Sequence, residues 1–135
     1  MSLDISTLYI VAALVGVMLG GMLLFFGRQQ KIPALNWWGA AYILGAVSIG
    51  VWTLTSSLLD ERLALAFNAV GFVACGMVWS AARVFHGRQP NWIGLPLGAI
   101  VWLVVIMCPP DETSAMRLTI GAGIVAAYAV LTANE

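Results

Sequence analysis

The chain has 135 residues, 61% hydrophobic and 9% charged, with six basic and six acidic side chains and one histidine. Mean hydropathy is +0.96. A soluble domain carries charge on roughly a quarter of its residues and a nucleic-acid binder carries a basic excess; this composition excludes both.

A crossing needs about 20 apolar residues for about 30 Å of hydrocarbon, and helices are required because hydrocarbon offers an exposed backbone group no partner. The expected fold is therefore an all-α, polytopic helical membrane bundle of about five transmembrane helices in one domain over residues 1–135.

The first span is expected over residues 5–27, with Ser2 or Asp4 as its cap. It is not expected to be a signal peptide, because its front lacks Lys and Arg and it ends in Gly27-Arg28 instead of a cleavage site. Gly16 and Gly20 are four apart, a spacing that lets another helix come close. The second span, residues 35–58, follows Pro33, placed to open a helix. It carries Trp37 and Trp38 at its start and Gly45 within; Ser48, Thr53 and Thr55 can bond back to the preceding turn.

Asp60 can cap the third span, residues 63–85, where Asn68 is the one strongly polar group expected in hydrocarbon and a candidate for bonding across to another helix. The fourth span, residues 91–108, begins at Asn91-Trp92 with Pro96 in its second turn, where few upstream carbonyls exist to lose. Pro109-Pro110 ends it. The fifth covers residues 115–132 and offers Gly121, Ala122 and Ala126 as small residues.

Two turns share a vocabulary. Gly27-Arg28-Gln29 and Asn36-Trp37-Trp38-Gly39 recur as Gly87-Arg88-Gln89 and Asn91-Trp92-Ile93-Gly94. Duplication and convergent boundary chemistry both remain open, but in either case cationic groups sit in headgroup water and indoles at the boundary. Arg28, Lys31, Trp37, Trp38, Arg83, His86, Arg88 and Trp92 are the expected interface anchors. Arg28, Lys31, Arg83 and Arg88 flank the first and third turns, against Arg62 and Arg117 at the others, which puts those turns and the C-terminus inside and the N-terminus outside.

Chemistry is sparse. His86 stands beside arginines without metal-binding company, and Cys75 and Cys108 lie at different expected depths, which disfavours a disulfide. No Asp, Glu, Lys or Arg is expected at mid-depth, where ion and proton pathways usually show one. Trp52 and Trp102 lie deeper than the other indoles and are expected to pack. No catalytic motif is present, so no catalytic residue, metal ligand or cofactor is expected. The expected partners are the lipid bilayer and either a second copy or another membrane protein.

Leu3-Asp4, the run from Ala34 to Tyr42 with its Asn36-Trp37-Trp38-Gly39 centre, Ala82-Arg83-Val84-Phe85-His86-Gly87-Arg88-Gln89-Pro90 and Ala127-Tyr128 carry a resemblance. Along essentially its whole length the chain resembles the N-terminal multi-span membrane region of bacterial GGDEF-type diguanylate cyclases. In that family the region leads to a cytoplasmic domain that makes cyclic di-GMP from two GTP. The catalytic signature is absent here, so no catalytic residue carries over. The resemblance implies a non-catalytic sensory or dimerising module of the bacterial inner membrane, and a chain that continues beyond Glu135. The competing expectation is an accessory subunit packed against a larger respiratory or photosynthetic complex.

Overall fold

A computed structural model describes residues 5–55, 61–107 and 114–135. Five helices follow one another: α1 (Ile5–Gln29), α2 (Pro33–Thr55), α3 (Glu61–Phe85), α4 (Leu97–Met107) and α5 (Ser114–Ala133). α1, α2, α3 and α5 are long and apolar enough to cross a bilayer, and the chain is a multi-pass membrane protein. The caps expected at Ser2, Asp4 and Asp60, the hydroxyl of Thr55, and Cys108 through Asp111 lie outside the described residues or side chains.

The first turn closes with a 6→1 bond from Ile32 N–H to Gly27 O, 3.0 Å, around Lys31 at φ 55°. The second closes with Arg88 N–H to Arg83 O, 2.9 Å, and Gly87 N–H to Val84 O, 3.1 Å, around Gly87 at φ 74°. Both are left-handed helix stops. The repeated letters therefore hold different posts: Lys31, not Gly27, is the counterpart of Gly87. Gly27 is still helical and buried, and a Cβ there would lie 2.6 Å from Asn36 Oδ1.

α1 and α2 run antiparallel and meet backbone to backbone. A Cβ on Gly20 would lie 2.7 Å from Gly39 O, and one on Gly39 would lie 2.8 Å from Gly20 O. Gly16 abuts Ala46. α2 then packs on α3, with Gly45 facing Ala74. Here Ser48 departs from expectation: its Oγ donates to Phe67 O on α3, 3.0 Å, because Gly71 leaves room for a hydroxyl at that seam. Thr53 bonds back to Ile49 O as expected.

α3 is the hub, packing on α2, α4 and α5, whereas α1 packs on α2 alone among the described residues. Ala69 and Phe72 of α3 and Ala99 and Trp102 of α4 form the core cluster. Trp102 is 4% exposed, and its indole N–H donates to Leu65 O at 2.8 Å. Trp52 packs edge-on against Tyr9. α3 and α5 point the same way, since Gly121 faces Phe72 while Tyr128 lies beside Trp79.

The fourth helix differs from the span expected over residues 91–108. It begins at Leu97, six residues later, and its 11 residues rise only about 16 Å, roughly half the hydrocarbon thickness. The physical reason is local chemistry around Pro96, described next.

Candidate functional site: a spliced break before the fourth helix

Asn91 stops the chain from entering a helix smoothly. Its Oδ1 accepts from Ile93 N–H, 3.2 Å, and Gly94 N–H, 3.1 Å, while Leu95 N–H reaches Asn91 O, 3.1 Å. A single turn results. Pro96 cannot extend it, having no N–H to give, so α4 starts afresh after it. Two glycines bring this irregular stretch against α3: Leu95 O lies on Gly76, and Trp79 lies on Gly94, with no room for a Cβ at either. Gly76 is nine residues before the end of α3, or about 13 Å below it, so the break lies alongside the candidate span of α3 and not beyond its end.

Non-helical backbone at that depth is tolerated only where protein shields it and satisfies its polar groups. Tyr128 of α5 does both. Its hydroxyl accepts from Gly98 N–H at 2.9 Å and donates to Gly94 O at 2.8 Å, with Leu95 O at 3.3 Å. In an intact helix Gly98 N–H would bond Gly94 O directly. The tyrosine hydroxyl stands between the two, one donor and one acceptor used together. Gly98 makes the approach possible, since a Cβ there would lie 2.6 Å from the Tyr128 ring. Tyr128 is 6% exposed and Trp79, packed beside it, 7%.

An apolar cleft of about 600 Å³ lies between the broken segment and α5, lined by Ile93, Leu97, Val101, Ile124 and Leu131 together with Trp79 and Tyr128. A second cleft of about 420 Å³ lies on the other flank of α5, between Cys75, Val125 and Tyr128. Tyr128 thus forms part of both walls. Cys75 is half-buried on α3 and free.

The end of α5 is tied to the end of α3. Glu135 receives Arg83 at 2.8 Å and Arg88 at 2.9 Å, and its side chain is 8% exposed. The Arg83 guanidinium lies over the Trp79 ring, 5.6 Å from its centre. Burial works to raise the Glu135 carboxyl, but the Arg83 and Arg88 charges and the Arg83 hydrogen bond outweigh it, and the group is held below its ordinary range. The Trp79 indole N–H faces the same carboxylate, short of hydrogen-bond geometry. Ser80 is fully buried, and its hydroxyl has no partner among the described residues.

The expected anchors gather at one end. Trp37 and Trp92, one from each turn, meet edge to face at 5.5 Å, and Trp38 lies 6.0 Å from Phe85. Arg28 and Lys31 are exposed in the first turn; Arg88 and His86 are exposed in the second, with His86 Nδ1 on Ala82 O at 3.0 Å. Gly16, Gly20, Gly45 and Gly121 are used in packing within the chain, the last against Trp102 and Phe72. The helix that comes close to Gly16 and Gly20 is α2 of the same chain. Asn68 is half-buried and makes no hydrogen bond to another described residue. Among the described residues no cluster of His, Cys, Asp or Glu has the makings of a metal site. Sequence reasoning missed Tyr128 and Glu135, whose roles depend on neighbours 30 and 52 residues away. No protein-family model, curated protein or solved structure matches the chain.

Proposed function

We propose that the chain is a non-catalytic sensory and dimerisation module of a bacterial inner membrane, of the kind that precedes a diguanylate cyclase domain in cyclic-di-GMP signalling. The observation that supports this reading is that one helix, α5, carries both Tyr128, which splices the break, and Glu135, locked to Arg83 and Arg88. An event that moves the hydroxyl out of the break shifts α5 against α3, and the shift reaches the end of α5 beside the basic turns. In this reading those turns face the cytoplasm, the N-terminus lies outside, and an output domain follows α5. The module itself binds no metal or cofactor.

The test is the natural reading frame expressed in full. The proposal expects a GTP-using domain beyond Glu135 and cyclic-di-GMP output that changes in Tyr128→Phe at equal membrane abundance. A frame that ends at Glu135, or a full protein that leaves cellular cyclic di-GMP unchanged, removes the signalling reading. A second reading, an accessory subunit of a respiratory or photosynthetic complex, draws support from α1, whose Ile10, Leu14, Met18 and Phe25 are exposed and which has a single helical neighbour. Co-purification of the untagged chain with a larger complex distinguishes it.

A further inference from the structure

The cleft beside the break is lined almost wholly by apolar side chains. Its volume of about 600 Å³ lies in the range of small-molecule sites, yet no charged side chain lines it. It is open at the surface, since Ile93, Val101 and Leu131 in its walls are exposed. Along α5 it runs from Ile120 to Leu131, eleven helical steps or about 16 Å. That is about one leaflet of a hydrocarbon core roughly 30 Å thick. Gly123 belongs to the cleft and not to helix packing: a Cβ there meets nothing within 4 Å.

Charge marks one end. At the Leu131 end, Arg83 covers the Trp79 ring and Arg88, 60% exposed in its side chain, reaches Glu135. Two guanidinium groups face a single side-chain carboxylate at the mouth. The first turn adds Arg28 and Lys31 at the same end of the bundle, tied to it through the Trp37–Trp92 contact.

We propose that this cleft holds one acyl chain of an anionic phospholipid from the leaflet on the basic side, with the headgroup phosphate at Arg88 and Glu135 competing for the same arginine. The proposal goes beyond the signalling reading and does not depend on it.

The experiment places the full chain in nanodiscs containing equal phosphatidylglycerol and phosphatidylcholine, extracts it in mild detergent, and counts retained lipids by native mass spectrometry. About one phosphatidylglycerol per chain is expected, favoured about fivefold over phosphatidylcholine, the factor that one basic charge near the surface supplies. Gly123→Leu fills the cleft and abolishes retention of both lipids, whereas Ala122→Leu, on the same helix but outside the cleft, keeps it. Arg88→Gln removes the headgroup preference while a chain is still retained, and Glu135→Gln strengthens the preference. Should Gly123→Leu fail to fold, Val101→Trp fills the cleft from α4 and carries the same expectation. Equal retention of the two lipids by the natural sequence, or undiminished retention in the filled-cleft variants, overturns the proposal.

Discussion

Tyr128→Phe isolates the splice, because it removes one oxygen and keeps the ring that packs against Trp79. Two bonds disappear, 2.9 Å to Gly98 N–H and 2.8 Å to Gly94 O. Gly94 O keeps a weak bond from Leu97 N–H at 3.4 Å, so the acceptor is not wholly orphaned. Gly98 N–H loses the one partner it has among the described residues. A buried donor left unpaired costs about 1–3 kcal/mol in general, while side-chain bonds measured within membranes average about 0.6 and reach about 1.7 kcal/mol. Partial closure of the gap after loss of the oxygen pulls the value down, and Pro96 resists that closure. We expect a loss of about 1.5 kcal/mol, slightly more than a tenfold shift in the folding equilibrium. Steric-trap unfolding in bicelles measures it, and hydrogen exchange at the Gly98 amide reads the same event locally. In Pro96→Ala the restored N–H eases the break, and the cost of Tyr128→Phe should shrink. A loss below about 0.5 kcal/mol, with Gly98 exchange unchanged, would refute the splice as a source of stability.

Other expectations follow from particular residues. Gly20→Ala should destabilise the α1–α2 pair by about 1–3 kcal/mol through overpacking, whereas Gly21→Ala, where a Cβ meets nothing within 4 Å, should not; thermal unfolding of both variants makes the comparison. Lys31→Gly should stabilise by about 1 kcal/mol, because only glycine adopts that positive φ without strain, and Gly87→Ala should cost a similar amount; chemical denaturation reads each. Glu135 has a folded pKa below its ordinary 4.5, so its contribution is complete above that value and is lost as pH falls through the lowered one. Proximity between residues 88 and 135, followed by a spin-label pair placed beside them, should therefore hold from neutral pH to about 4.5 and loosen only in stronger acid. Glu135→Gln should show the loosened state at every pH. Cysteines placed at Gln30 and Gln89 should label only from the cytoplasmic side of intact cells; periplasmic labelling contradicts the orientation.

Much of the framework is legible in the residues. Apolar runs with charge confined to turns mark α1, α2, α3 and α5 to within a few residues, because solvation by lipid punishes any other arrangement. The small residues mark close packing, but not which helix they pack against: Gly20 could be assigned to Gly39 only in three dimensions. The break was written locally as Asn91, Gly94, Pro96 and Gly98, four breakers within eight residues. Read as a run of hydropathy they vanish, since Trp, Ile and Leu lie between them. Tyr128 looks like an ordinary interfacial aromatic until α5 is laid alongside α4. Glu135 looks like a charge out of place on a basic side until Arg83 and Arg88 turn toward it. The repeated Gly-Arg-Gln misleads in an instructive way, because a left-handed stop can be filled by Lys31 as well as by Gly87.

The splice also bears on how the chain enters a membrane. α1 and α2 are neighbours in sequence and can pair as soon as both have emerged. The fourth helix has no such independence. At 11 residues it is too short to span alone, and until Tyr128 arrives the Gly98 amide has no protein partner in a medium without water. The cheapest course is for the segment after His86 to wait at the interface and cross together with α5, docking on an α3 already in place. Biogenesis is then a pair of steps in which α5 licenses the helix before it. A ribosome-stalled chain truncated before Tyr128 should leave residues 91–107 accessible to water-soluble reagents.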